Sequence, residues 1–129
     1  MPRLFLFFSL LIAAGSVAQA SPLEGSWLGP VDPDGNRSTI DIYPCGDLFC
    51  GKVSAVTQPS AEYLLGQVIL LNLQQEREDY YSGGLIRFDH LRWTFSGDIR
   101  MQSFDRATLR GCWARIVCQS VEFTRVSSA

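Results

Sequence analysis

The chain predicts an all-β domain: a single antiparallel up-and-down barrel of about eight strands, with two local disulfides. Three observations lead there. Strand-type segments recur at short intervals and are separated by turn residues. No segment shows a helical period. Residues Leu91 to Met101 alternate strictly, with Leu91, Trp93, Phe95, Gly97, Ile99 and Met101 on one face and Arg92, Thr94, Ser96, Asp98 and Arg100 on the other. Closing such a sheet removes its edges, and eight strands leave an interior that side chains just fill or that holds one small ligand. A two-layer sandwich is the competing architecture. An outer-membrane barrel fits less well, because its outer face must be apolar and its lumen polar, and it would favour a terminal aromatic over Ser-Ser-Ala.

The elements follow in order. Arg3, the apolar run Leu4 to Ala14 and the small-x-small site Ala18-Gln19-Ala20 form a cleaved signal peptide over residues 1–20. Gly15 and Ser16 end the apolar run short of the roughly twenty residues a membrane span needs. The mature domain is therefore 21–129, about 109 residues and one domain. Glu24 to Val31 is the first strand, closed by the turn Asp32-Pro33-Asp34-Gly35. Asn36 to Tyr43 is the second, with Ser38, Ile40 and Ile42 on one face. Pro44 to Leu48 turns the chain into the third, Phe49 to Thr57, and Gln58 to Gly66 is a looser connection. Gln67 to Leu73 is apolar on both faces, and the acidic stretch Glu76-Arg77-Glu78-Asp79 is a solvated loop. Tyr80 to Phe88 is the fifth strand, bulged at Gly83-Gly84. Leu91 to Met101, Ala107 to Ala114 and Gln119 to Val126 complete the eight.

Cys45, Cys50, Cys112 and Cys118 all lie in the mature part, and an even count in an exported small domain implies two disulfides. Three pairings are possible. The local pairs Cys45–Cys50 and Cys112–Cys118 are favoured because each brackets a turn, and loops this short restrict the unfolded chain by about 2 kcal/mol each. A four-cysteine zinc site is disfavoured, since five residues separate Cys112 from Cys118 where zinc ligands are usually two to four apart. With 11 basic against 13 acidic residues overall and Lys52 the sole lysine, the chain offers no phosphate-binding surface, which argues against nucleic acid.

Several blocks together resemble a known family. They are Gly25-Ser26-Trp27, the run Ile42-Tyr43-Pro44-Cys45-Gly46-Asp47-Leu48-Phe49-Cys50-Gly51-Lys52-Val53, Gly83-Gly84-Leu85-Ile86, Leu109-Arg110-Gly111-Cys112, Cys118 and Phe123-Thr124-Arg125-Val126. The chain is similar over nearly its whole mature length to a small secreted bacterial family, domain of unknown function 2147. That resemblance implies a lipocalin-like, calycin-type barrel with no established activity. In that architecture a tryptophan near the start of the first strand meets an arginine of the last strand, and Trp27 and Arg125 stand at the matching positions. Such a cation–aromatic pair contributes about 0.5–2 kcal/mol and would close one end of the barrel. Two loops depart from the family: Phe88 to Trp93 is shorter than its usual turn, and Gln58 to Gly66 is reduced.

Catalytic groups are few. His90, the sole histidine, stands beside Asp89 in a turn, the expected place of a solvated loop residue, and a hydrolase using it is the least favoured reading. Asp32 and Asp34 are explained by their turn, and the residues suggest no metal and no cofactor. Asn36-Arg37-Ser38 matches a glycosylation sequon, an accidental match in a bacterial setting. What remains is apolar surface. Tyr80, Ile86, Phe88, Trp93, Phe95 and Ile99 are the candidate barrel lining. If they leave a cavity, the protein is a non-enzymatic binder of a small hydrophobic molecule, exported to the periplasm or beyond the cell, with no transmembrane span after cleavage. If they fill the interior, it is a protein-interaction or inhibitory module that presents turns such as Cys45–Cys50.

Overall fold

A computed structural model describes residues 21–87, 94–114 and 116–128. The expected signal peptide, 1–20, and Phe88, Asp89, His90, Leu91, Arg92 and Trp93 lie outside the described residues. The elements are β1 (Gly25–Leu28), β2 (Ser38–Cys45), β3 (Leu48–Val56), a 3-10 turn (Pro59–Leu64), β4 (Val68–Arg77), β5 (Tyr80–Arg87), β6 (Thr94–Met101), β7 (Arg106–Trp113) and β8 (Val117–Ser128). Each strand pairs antiparallel with the next, and β8 returns to β1, so the eight strands form a closed up-and-down barrel. The sequence pattern predicted this architecture, and the two-layer alternative does not occur.

The barrel has a lower end, where β2–β3, β4–β5 and β6–β7 turn and the chain enters β1. Its upper end holds the β1–β2 loop, the 3-10 turn and the β7–β8 hairpin. One disulfide staples each end: Cys45–Cys50 the lower β2–β3 turn, Cys112–Cys118 the upper β7–β8 hairpin. These are the two local pairs, and the cross-barrel pairings are excluded. Among the described residues no helix is long and apolar enough to cross a membrane.

Alternation holds where the backbone is regular. In β6, Gly97, Ile99 and Met101 are buried while Ser96 and Arg100 are exposed, as period two requires. It breaks where an extra residue enters. Asn72 adopts a positive φ of 59° in β4, and Phe49 and Gly51 of β3 face Leu73 and Leu70 across that bulge. Ile69 and Leu70 are consecutive and both buried, which accounts for a segment apolar on both faces.

Two expectations need correction. The acidic stretch is not all loop, because Glu76 and Arg77 end β4 and only Glu78-Asp79 turns the chain; an exposed strand end accommodates charge as readily as a loop does. The Gln58–Gly66 connection is not merely loose either. It folds as a 3-10 turn that buries Ala61 and Leu64, with Pro59 supplying the preset φ of a first helical position.

Inward-facing glycines set the interior volume. A Cβ on Gly84 would stand 2.6 Å from Leu73 Cδ2, and Leu73 is almost wholly buried. Gly84→Ala should therefore cost about 1–3 kcal/mol through overpacking, read as a lower urea midpoint. An unchanged midpoint would show that Leu73 does not fill that space.

Candidate functional site

The interior divides into two unlike halves. Below, Leu23, Trp27, Ile42, Leu73 and Tyr81 are all buried, and Phe49 meets Tyr81 edge to face at 5.6 Å. The space left among the lower side chains is about 10 Å³, at the bottom of what one water needs. This half is full.

Arg125 fastens it. The guanidinium carbon of Arg125 lies 4.3 Å from the Trp27 ring centre and 4.1 Å from that of Phe104, so the cation is sandwiched between two rings. Its Nη1 donates to Glu24 O at 2.8 Å, its Nη2 donates to Pro22 O, and its Nε donates to Phe104 O at 2.8 Å. Trp27 Nε1 donates to Leu23 O at 2.9 Å. Together these bonds draw residues 21–24 across the lower end, where Leu23 becomes a plug and the Ser21 hydroxyl meets the Tyr81 phenol. Burial lowers the Arg125 pKa from its ordinary value, while Asp105 and Tyr81 oppose that fall. Burial raises the Tyr81 phenol.

Above the filled half the barrel opens into a cup of about 580 Å³. Ile40, Leu70, Leu109 and Phe123 form its floor, since they bound both the cup and the residual space beneath. Val53, Leu64, Ile69, Ile86, Phe95 and Val121 make its walls. Gly111 keeps one wall thin, for a Cβ there would stand 3.0 Å from Ile86 Cδ1. Polar groups gather at the rim: Asp32, Asn36, Ser38 and Gln119. Asn36 is buried, its Oδ1 accepting from the amides of Thr57 (3.0 Å) and Gln58 (3.2 Å) while its Nδ2 donates to Ser38 Oγ (3.0 Å). It ties the β1–β2 loop to the end of β3. Among the described residues Asp32 is the one charged residue lining the cup, and its carboxylate caps its own turn by accepting from the amides of Asp34 and Asn36.

Of the six residues expected to line the barrel, Ile86 and Phe95 line the cup and Ile99 lines the filled half. Phe88 and Trp93 lie outside the described residues, as does His90. Tyr80 is a correction. It lies on the outer face between Arg77 and Arg100, whose guanidinium carbons are 5.2 and 5.3 Å from its ring centre, and Tyr81 points inward instead. Counting back from Ile86 by twos gives Tyr80 only if β5 is regular, and the bulge between Tyr81 and Gly84 shifts the parity by one. Val53, Leu64, Leu109, Val121 and Phe123 were missed as lining. The odd-numbered apolar positions of β8 were the available signal. Among the described residues no group of three or more His, Cys, Asp or Glu is placed to hold a metal.

A family model described as "Uncharacterized protein conserved in bacteria (DUF2147)" matches residues 25–125. Among solved structures, the chain is similar to protein HP1028 of the human pathogen Helicobacter pylori, described as belonging to the lipocalin family. The two share 12% identity at a TM-score of 0.65, over 81% of this chain and 83% of the other. At that identity the likeness shows a lipocalin-like fold. No curated protein matches.

Two predictions follow from the lower end. Arg125→Met should cost about 2–4 kcal/mol in urea unfolding, through lost charged hydrogen bonds and ring contacts, and Arg125→Lys should recover only part of it. Because the Tyr81 pKa is raised on folding, its contribution is fully present below pH 10.0 and is lost as pH rises through the folded value. Stability measured from pH 8 to pH 12 should fall at the alkaline end, and Tyr81→Phe should flatten that fall.

Proposed function

Since the chain belongs to this bacterial family, DUF2147, and folds as a lipocalin-like barrel, we propose that it binds a small, uncharged hydrophobic molecule in the cup and is not an enzyme. One observation carries the reading: a barrel that fills its lower half completely keeps a cavity of about 580 Å³ in its upper half, with apolar walls and polar groups confined to the rim. That is the common form of a small-molecule site, with apolar lining supplying affinity and a few polar groups orientation. The open cup counts against the filled-barrel alternative.

The lining also selects. No basic side chain lines the cup among the described residues, and Asp32 stands at its rim. Among the described residues a carboxylate or phosphate head meets no counter-charge there and faces the like charge of Asp32. A neutral head fits, with Ser38 and Gln119 available for hydrogen bonds. Export to the periplasm or the extracellular space, after loss of residues 1–20, is part of the same proposal. Both disulfides are compatible with an oxidising compartment.

Isothermal titration with straight-chain 1-alkanols tests the reading. Kd should fall about fourfold for each added CH₂ until the cup is full, at about 0.8 kcal/mol each. Val121→Trp, which places a large ring at the wall, should weaken binding at least tenfold, and alkanoates should bind more weakly than alkanols of equal length. Native mass spectrometry of protein from its own host should show co-purifying neutral mass. A flat dependence on chain length, or binding indifferent to Val121→Trp, would overturn the proposal.

A further inference from the structure

The strand that closes the barrel does so over only part of its length. β1 has four residues and β8 has twelve, and their pairing runs from Gly25 opposite Ser128 to Leu28 opposite Thr124. From Val117 to Phe123, β8 pairs with β7 on one side and, among the described residues, with nothing on the other. This stretch borders the cup, for Val117, Gln119, Val121 and Phe123 line it, as do Gly29, Pro30, Asp32, Asn36 and Ser38 of the β1–β2 connection. The upper wall is therefore split by a slot.

Two observations show which backbone groups face the slot. The Arg125 amide donates to Asp105 O on the β7 side, so the next residue, Thr124, turns the other way, toward Leu28. Counting by twos, Glu122, Ser120 and Cys118 turn the same way. Independently, Cys112 and Cys118 are directly opposed with Cα atoms 4.1 Å apart, the spacing of a pair that exchanges no ladder bonds. The amides and carbonyls of Cys118, Ser120 and Glu122 thus point into the slot, and all three residues are exposed. The edge carries none of the usual guards. It has no proline and no lysine, and its one charge, Glu122, is drawn aside to Arg106 at 2.5 Å. The Cys112–Cys118 bridge ties its upper end to β7.

We propose that this edge of β8 binds an extended polypeptide segment as an added strand, with apolar side chains at alternate positions entering the cup. The proposal rests on the cup being a binding site and assigns a second class of ligand to it. Backbone pairing supplies general affinity, and the adjoining pocket selects for apolar side chains, a division used widely in strand-addition sites. A second copy of this chain fits worse. Its own β8 would arrive already paired to its β7, and the slot is bounded on the far side by residues 29–38.

The probe is a soluble capped peptide, acetyl-Lys-Val-Thr-Val-Thr-Val-Lys-amide, with two versions N-methylated on the one or the other set of alternate amides. The parent should bind the intact protein saturably, and at least one methylated version should bind tenfold more weakly. Equal binding by all three, or none by the parent, overturns the proposal. Ser120→Pro removes a donor that faces the slot and leaves the β7 ladder intact, as proline on an edge strand can. It should lose peptide binding tenfold while circular dichroism and alkanol binding stay as in the native protein, and Ser120→Thr should bind normally. Alkanol binding without peptide binding refutes the strand site and leaves the cup as proposed. Peptide binding without alkanol binding sustains the strand site and refutes the small-molecule reading. A peptide-free dimer in sedimentation, abolished by Ser120→Pro, would overturn the proposal in favour of self-pairing.

Discussion

Closure of the sheet rests on the pairing of four β1 residues with Thr124 to Ser128 of β8, and Arg125 lies within that seam. Two strands joined over so short a length gain few ladder bonds, and a bulge between Ser26 and Trp27 interrupts even these. The guanidinium strengthens the join from within. It stacks between Trp27 and Phe104 and holds carbonyls from two stretches of the chain, Pro22 and Glu24 before β1 and Phe104 between β6 and β7. An ammonium group cannot reproduce that planar, many-donor contact. Residues 21–24 have no strand of their own, and their order depends on these bonds and on Leu23 being buried.

The division of the interior follows from the same seam. Where β1 and β8 pair, Trp27, Tyr81, Leu73 and Leu23 fill the barrel. Where β1 ends at Leu28, because Gly29-Pro30 cannot continue a central strand, the wall parts and the space above Phe123 stays open. A Cβ on Gly29 would stand 3.0 Å from the Phe123 ring, so the two residues meet where the filled half gives way to the cup. Stability is concentrated below and binding surface above, with a disulfide at each end.

Much of this was legible. The alternation read from Leu91 to Met101, the turn at Asp32 to Gly35 and the cysteine spacings led to an eight-stranded barrel with two local disulfides, and the structure has both. The candidate site was legible only in part. Ile86 and Phe95 could be placed because β6 and the upper part of β5 are regular. Tyr80 could not, because a bulge moves every inward position beyond it, and Gly83 at φ 72° marks the bulge without fixing its direction. The cup itself depends on how long β1 is relative to β8, a matter of registers between distant strands. Composition carries no trace of that, and neither Val121 nor Gln119 announces itself as lining.

The central claim is that one barrel holds a filled half and an open half. Xenon titration followed by methyl NMR tests it most directly, since xenon enters apolar cavities and avoids well-packed cores. Methyl shifts should be large at Val53, Leu64, Ile69, Ile86 and Val121, and negligible at Leu23, Ile42 and Leu73. Shifts spread evenly over both sets, or absent from the first, would contradict it.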